Sequence, residues 1–197
     1  MKPAIKVLGV PDDINSSFMR GSSAAPPLIR EALYSASSNL FSESGLNLDQ
    51  EGVWDDLGDI EFTGEVAVEN FKKIKTFVKD VLVSDQKLVS LGGDHSVSWP
   101  ILDAHLDIWG TLDILHIDAH PDLYDSLLGN KLSHASPFAR VMETGRVNRL
   151  VQIGIRTLNK HQREQAEKFE VEIYQMKDLT KLSSLSFSKP GYCRIDI

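Results

Sequence analysis

Short apolar runs alternate with amphipathic segments along this chain. Residues 66–83 carry apolar side chains at spacings of three and four, which is typical of an amphipathic helix. The apolar runs are only four to six residues long and give way to glycine, proline or polar residues, which predicts strands. Further helices are predicted from Pro26 and Pro27 through Leu33, because proline is tolerated in a first turn, and over His161–Phe169. The predicted strands are Ile5–Val10, Leu88–Leu91, Leu112–Ile117, Leu150–Ile155, Val171–Tyr174 and Tyr192–Ile197.

This order of strands and helices predicts the class of fold. Repeated strand, loop and helix units favour a three-layer α/β/α arrangement with a mainly parallel sheet. The 197 residues suit a single domain over 1–197. Residues 11–24 are polar and are predicted either to form a loop over the active edge of the sheet or to be disordered. The chain ends at Ile197 inside an apolar run with no cap or polar tail, so we interpret it as truncated at its C-terminus.

Composition excludes several classes of protein. The net charge is −7 and the chain has no run of basic residues, which argues against a nucleic-acid partner. No apolar stretch approaches the ~18 residues that span a bilayer, so no membrane partner is expected. The first residues resemble neither a secretory signal nor a transit peptide, and the single cysteine, Cys193, excludes a disulfide within the chain. We therefore expect a cytoplasmic protein.

Polar clusters follow the predicted strands, where ligand sites of parallel sheets form. The most informative cluster is Asp118-Ala119-His120-Pro121-Asp122, directly after Leu112–Ile117. If the backbone there is extended, Asp118, His120 and Asp122 point the same way and converge on one point. Carboxylate and imidazole donors without thiolates favour Mn²⁺ over a structural zinc ion. The alternative is a helix cap, which needs only one such residue.

The other histidines divide into candidate ligands and structural residues. His95 follows Gly92 and Gly93, and paired glycines allow the backbone to approach another group closely, which we interpret as the metal cluster. His116 lies inside an apolar run, so a packed core histidine is favoured over a ligand. His105 and His161 are expected on the surfaces of helices, without a role.

Together these motifs resemble one family. GGDHS at 92–96, DAHPD at 118–122 and SHASPF at 133–138 are similar to the motifs of the ureohydrolases, which include arginase and agmatinase. The resemblance extends over the whole chain from GVPDDINSSFMRGSSAAPPLIREA onward. The segments DILHIDAHPDLYD, GNKLSHASPFAR and VQIGIR are especially similar to plant-type arginases.

The resemblance implies a role for particular residues. His95, Asp118, His120 and Asp122 match four of the six manganese ligands of the family, which binds two Mn²⁺ ions per active site. Asp196 matches the fifth, a bridging aspartate, while the sixth would follow Ile197, and Arg194 stands where the family has serine. The residues that the family pattern places at the chemistry are Asp122, which would contact the nucleophile, His134, which would move protons, and Asn159, which would contact the substrate.

The function that the resemblance implies is manganese-dependent hydrolysis of a small guanidino substrate. L-arginine, giving L-ornithine and urea, is the first candidate, and agmatine or 4-guanidinobutyrate is the alternative within the family. A metallophosphoesterase is disfavoured because its Asp-x-His precedes its Gly-Asp cluster, whereas here the order is reversed. An inactive truncated remnant is a further alternative, and this chain alone is expected to be poorly active. Trimers or hexamers are implied by the family.

Overall fold

The apolar runs of the sequence form parallel strands in the computed structural model, which describes residues 5–64, 66–84, 86–181, 185–187 and 191–195. The chain forms two compact units, Met1–Ile101 and Leu102–Ile197. Every pairing between strands of the described residues is parallel. The predicted α/β fold with mainly parallel strands is thus confirmed, whereas the single domain stays a prediction.

The first unit contains a three-stranded sheet in the order β2-β1-β3. Strand β1 is central because its Leu8 and Val10 are fully buried, while the polar strand β2 lies at the edge. Helix α2 buries Phe71, Ile74 and Val78, the apolar stripe that the sequence predicted. The elements of this unit are β1 (Ile5–Val10), α1 (Ala25–Leu33), β2 (Trp54–Asp59), α2 (Ala67–Leu82) and β3 (Lys87–Gly92).

Helix α3 (Ser98–Trp109) leads the chain into the second unit, where four strands are ordered β6-β5-β4-β7. Strand β4 lies between two neighbours and its Leu112 and Ile114 are fully buried. Because the strands are parallel, the carboxyl ends of β4 and β5 lie at one edge of this sheet, which is where the polar loops begin. The remaining elements are β4 (Leu112–Ile117), α4 (Pro137–Met142), β5 (Val147–Ile155), α5 (Lys160–Lys168), β6 (Glu172–Gln175) and β7 (Gly191–Ile195).

The polar segment 11–24 is ordered by one carboxylate in the first unit. Asp13 Oδ2 accepts hydrogen bonds from the backbone N–H groups of Gly21 (2.6 Å) and Ser23 (3.1 Å), which closes the segment into a loop. Burial acts to raise the pKa of Asp13, but these hydrogen bonds lower it below its usual range. The segment is therefore an ordered loop rather than disordered, while its position over the active edge of the sheet stays a prediction. Among the described residues, no helix combines the length and the apolar character needed to cross a membrane.

Candidate metal centre

The loop after β4 brings two of the predicted ligands together. The carboxylate of Asp118 is buried, with 3% of the side chain exposed, and its Oδ1 lies 3.4 Å from Nδ1 of His120. The same Oδ1 accepts a hydrogen bond from the backbone N–H of His120 at 2.9 Å, a local turn that holds the two residues in register. The imidazole of His120 is 59% exposed. A buried carboxylate thus lies beneath an imidazole at the surface.

The geometry that joins these residues is not the extended backbone predicted from the sequence. The chain bends at Asp118 and Ala119, and Asp122 has a left-handed backbone with φ of 45°. Aspartate tolerates this conformation better than most residues. Asp118 and His120 do lie close together, but a turn rather than strand alternation brings them together, and their convergence with Asp122 stays a prediction. Asp122 is itself buried, with 7% of the residue exposed.

The carboxyl end of β5 fastens this loop to the sheet. The N–H of Asp118 donates to the carbonyl of Ile153 (3.0 Å), and the N–H of Arg156 donates to the carbonyl of Ala119 (2.8 Å). Gly154 lies between these two contacts with φ of 91°, and a Cβ added there would be 3.1 Å from the carbonyl oxygen of Asp118. Glycine is required because only a residue without a Cβ combines that conformation with so close an approach.

The segment SHASPF lies beside the same loop. The N–H of Tyr124 donates to the carbonyl of Ala135 (3.1 Å), and the N–H of Phe138 donates to the carbonyl of Asp122 (3.3 Å). His134, the predicted proton carrier, precedes Ala135 and is half-buried, with Nδ1 3.4 Å from Ser133 Oγ. The structure thus places the segment of His134 along the candidate ligand loop, while the proton-carrying role itself stays a prediction.

A buried pair beneath the loop was not predicted as functional. His116 and Gln152 are both fully buried and lie opposite each other in β4 and β5. Nε2 of His116 is 3.0 Å from Oδ2 of Asp118, and Nδ1 of His116 is 3.0 Å from Nε2 of Gln152. The sequence favoured a core histidine at this position, and the burial of His116 confirms that part. No role could be predicted for Gln152 from the sequence, because the register of β4 against β5 is needed to place this residue beside His116.

His95 is part of the first unit, on a short 3-10 helix (His95–Val97) that is separated from the end of β3 by two residues. Asp94 caps this helix by accepting the N–H of Ser96 at 2.8 Å, and His95 is buried with 7% exposed. The glycine before them does make a close approach, but its partner within the unit is the backbone of Asp12. A Cβ at Gly93 would be 2.1 Å from the Asp12 carbonyl oxygen, so no larger residue fits without a shift of the backbone.

Asp12 is a second buried carboxylate of this unit that the sequence did not single out. It accepts hydrogen bonds from the N–H of Ile14 (3.2 Å) and from Nδ2 of Asn70 (3.1 Å), and its backbone carbonyl accepts the N–H of Asp94 (2.9 Å). Burial raises the pKa of Asp12, against the effect of both hydrogen bonds to its side chain. Asp12 thus connects the loop after β1 with the loop that carries His95.

Other predicted positions have structural roles or fall outside the described residues. Asn159 caps α5: its Oδ1 accepts the N–H of Gln162 at 2.9 Å, and the Gln162 side chain accepts the N–H of Asn159 in return. Its contact with the substrate stays a prediction, as does the role of Asp196, which lies outside the described residues. The expectation that His105 lies on a helix surface is wrong. This residue is buried, with 5% exposed, against Trp109 and Tyr192, because α3 is apolar on more than one face.

The donor types in the loop after β4 suit a divalent cation. Asp118 and Asp122 supply buried carboxylates, and His120 supplies an imidazole beside one of them. Oxygen donors with one imidazole suit Mn²⁺, and the loop contains no thiolate that would favour zinc.

The sequence of this chain is similar to those of known proteins. Residues 3–187 match the arginase family. The chain is 43% identical over 211 residues to the mitochondrial arginase 1 of Oryza sativa subsp. indica, covering 100% of this chain and 62% of that protein. It is 35% identical over 173 residues to the N(1)-aminopropylagmatine ureohydrolase of Thermus thermophilus, covering 86% of this chain and 57% of that protein.

A solved structure supports the same relationship. The arginase from Medicago truncatula superposes with a TM-score of 0.84 at 41% identity, over 91% of this chain and 59% of that one. The chain therefore spans about three fifths of the length of the relatives it matches. Because the family match covers most of the sequence and the fold agrees, this chain belongs to the arginase family.

Proposed function

We propose that this chain carries the metal-binding part of a ureohydrolase that cleaves a small guanidino substrate, with L-arginine as the preferred one. The observation that carries the proposal is the contact of Asp118 with His120, in a loop whose backbone is bonded to the SHASPF segment. The relatives add to it, since the rice protein named as an arginase is 43% identical.

The metal would be Mn²⁺, held in this loop by Asp118, His120 and Asp122. His95 and Asp196 would complete the set by the family pattern. When bound, a pair of divalent ions would activate a water molecule for attack near neutral pH. Carboxylates are needed in number, because even two unit charges ~4 Å apart repel by ~4 kcal/mol at an effective dielectric constant near 20.

The residues of the chain would divide the remaining tasks. Asp122 would accept a hydrogen bond from the attacking water and so orient it toward the guanidino carbon. His134 would exchange protons with solvent, because histidine titrates near neutral pH. The backbone bonds between Asp122 and Phe138 and between Tyr124 and Ala135 would keep these two groups in a fixed relation. The products would be urea and an amine, ornithine when the substrate is arginine.

Two alternatives are kept open. The first is an agmatinase or guanidinobutyrase, and the Thermus relative named as an aminopropylagmatine ureohydrolase supports it at 35% identity. The second is a folded remnant with little activity. In either case we expect low activity from residues 1–197 assayed alone, because within this segment the family pattern supplies only Asp118, Asp122 and Asp196 to offset the four positive charges of two divalent ions.

The metal part of the proposal is tested by calorimetric titration of the purified chain with Mn²⁺. We expect fewer than two tight sites per chain, and loss of the tightest one in Asp118→Ala. Asp103→Asn is the control, since Asp103 lies on α3, where it pairs with Arg146, and is not part of the ligand loop. Unchanged Mn²⁺ affinity in Asp118→Ala would contradict the assignment of this loop.

The substrate part is tested by urea release from arginine, agmatine and 4-guanidinobutyrate with excess Mn²⁺, beside the Medicago arginase. We expect the highest rate with arginine and a rate at least ~10-fold below that of the longer relative, because weaker metal activation lowers the supply of nucleophile at neutral pH. A preference for agmatine would move the assignment to the first alternative. Turnover within tenfold of the Medicago enzyme, abolished by Asp118→Ala, would refute the expected low activity.

A further inference from the structure

The buried pair of Gln152 and His116 lies directly beneath the proposed metal ligand Asp118. Gln152 and His116 are opposite each other in β5 and β4, and neither has measurable exposure to solvent. Nε2 of Gln152 donates to the carbonyl of Pro121 at 2.7 Å and lies 3.0 Å from Nδ1 of His116. On the other side of the ring, His116 Nε2 is 3.0 Å from Asp118 Oδ2.

These contacts fix which nitrogen of His116 carries the proton. The carbonyl of Pro121 can only accept, so the amide of Gln152 must present its NH₂ group there, and the same NH₂ group faces His116. Nδ1 of His116 is then an acceptor, which leaves the proton of the neutral imidazole on Nε2. That N–H donates to Oδ2 of Asp118.

Each of the two carboxylate oxygens of Asp118 therefore accepts a hydrogen bond. Oδ2 of Asp118 accepts from His116, and Oδ1 accepts from the backbone N–H of His120 at 2.9 Å. A carboxylate oxygen carries two lone pairs, so accepting one hydrogen bond does not prevent it from binding a cation, while the two hydrogen bonds fix the plane of the group. The contact of Gln152 with Pro121 also fixes the backbone between the two other candidate ligands, His120 and Asp122.

A purely structural role accounts for less of this arrangement. An apolar side chain would fill the position of His116 without a buried polar group to satisfy, and the ring already packs at 4.2 Å between centroids against Phe138. Direct coordination by Nε2 of His116 is disfavoured, because the Gln152 contact leaves the proton on that nitrogen. Residues that orient a metal ligand through hydrogen bonds change metal affinity without touching the ion.

We propose that Gln152 and His116 are positioning residues that orient Asp118 for the divalent ion. The inference rests on the proposed function in one respect, that Asp118 is a ligand. Gln152 sets the tautomer of His116, His116 Nε2–H orients the Asp118 carboxylate, and Gln152 at the same time holds the Pro121 backbone between the neighbouring ligands.

The arrangement of protons is tested first, on the metal-free chain. Nitrogen-15 NMR of the histidine rings at neutral pH should show His116 with a protonated Nε2 and an unprotonated Nδ1, assigned by its loss in His116→Gln. A His116 ring protonated on Nδ1 and bare at Nε2 would overturn the inference. This measurement does not depend on metal binding.

Mn²⁺ affinity is tested second, with variants of matched size. His116→Leu removes the donor to Asp118, whereas His116→Gln retains an N–H donor near the same place. We expect the affinity for Mn²⁺ to fall ~10–100-fold in His116→Leu and in Gln152→Leu, as for other residues that support a metal ligand. His116→Gln should stay within about threefold of the parent chain, since a donor is retained.

Asn148→Leu provides the control for stability alone. Asn148 donates to Asp113 Oδ1 at 2.6 Å between the same two strands, near their other ends. The Asn148→Leu substitution should lower the midpoint of urea unfolding but leave the affinity for Mn²⁺ unchanged. Equal loss of affinity in Asn148→Leu and His116→Leu, or parental affinity in His116→Leu, would overturn the inference. If the parent chain bound no Mn²⁺, the proposed function would fail, and the NMR result would still decide whether the proton arrangement exists.

Discussion

A leucine with left-handed backbone interrupts the loop between the candidate ligands and SHASPF. Leu128 has φ of 52° and is 90% exposed, and it is followed by Gly129 with φ of 80°. The flanking residues exchange two backbone hydrogen bonds, Leu127 N–H to Asn130 O (3.1 Å) and Asn130 N–H to Leu127 O (2.9 Å). Two central residues with positive φ are typical of a type I′ turn, which favours Asn-Gly.

Leu128→Asn should therefore stabilise the chain. Asparagine adopts the left-handed conformation more readily than leucine, and the difference is worth about 0.5–1 kcal/mol, since the strain for an ordinary residue is ~1–2 kcal/mol. The free energy of unfolding in urea measures it. Gly129→Ala, at the neighbouring position of the turn, should do the opposite. A loss of stability in Leu128→Asn would show that the exposed leucine makes a contact worth more than its strain.

Helix α5 begins with a capping box, in which Asn159 and Gln162 exchange two hydrogen bonds. Its first turn is otherwise poor in helix-favouring signals, with no acidic residue to interact with the helix dipole. The cap formed by Asn159 and Gln162 supplies the acceptor that the first N–H groups require. Asn159 also donates to the hydroxyl of Tyr124, so the cap connects α5 to the loop after β4.

Asn159→Ala should lower the free energy of unfolding by ~1 kcal/mol, the usual cost of losing an N-cap. Asn159→Asp retains the acceptor and should remain close to the parent. The pair also tests the substrate role implied by the family, through the KM for arginine if turnover is measurable. A rise in KM in both variants, with stability lost only in Asn159→Ala, would assign Asn159 a contact with substrate besides the cap.

Elements whose own residues form a clear apolar pattern were predicted well. Elements stabilised by residues from other parts of the sequence were not. Strands β1 and β4 were predicted to the residue because both are buried apolar runs. Strand β2 was missed because WDDLGD is polar, and its aspartates are stabilised by Lys6 and Arg30 from other elements. The bounds of helix α3 were not predicted, although a helix was expected around His105, because its buried residues Ile101, Leu102 and Leu106 occupy several faces and this removes the helical period.

The candidate site shows the same division. Asp118 and His120 could be nominated as ligands from residue type and from their position after a strand, and that role stays a prediction. The turn that joins them, and the support from Gln152, depend on hydrogen bonds across β4 and β5 that a single sequence does not reveal.

An ion pair in each unit contributes to the dependence of stability on pH. In the first, Arg30 Nε and Nη2 donate to both oxygens of Asp56 (2.7 and 2.9 Å), and this hydrogen-bonded pairing lowers the pKa of Asp56. In the second, Arg149 contacts both oxygens of Glu172 and lowers its pKa likewise. A carboxylate with a lowered pKa stabilises the fold above its unfolded-state value, and this stabilisation is lost as pH falls through the folded-state value.

Asp56→Asn should accordingly be less stable than the parent at pH 6, by up to ~1 kcal/mol for a largely surface pair. The difference should shrink once pH falls below the ordinary aspartate pKa of ~4 and through the lowered pKa of Asp56, where the parent carboxylate becomes protonated. Urea unfolding at several pH values measures both parts. Asp55→Asn is the control at pH 6, because Asp55 is more exposed and makes a single contact with Lys6, so a smaller effect is expected. A difference that grew on acidification would contradict the sign of the argument.

The backbone hydrogen bonds between β5 and the loop after β4 limit how fast this loop can open. Asp118 donates a backbone hydrogen bond to Ile153 and Ala119 accepts one from Arg156, so the start of this loop moves together with the end of the sheet. It can open only when the ends of β4 and β5 separate, which is local unfolding and is slow compared with the fluctuations of ordinary surface loops. An ion beside Asp118 would then come and go through the exchange of the exposed imidazole of His120, at a rate set by ligand substitution and not by movement of the chain.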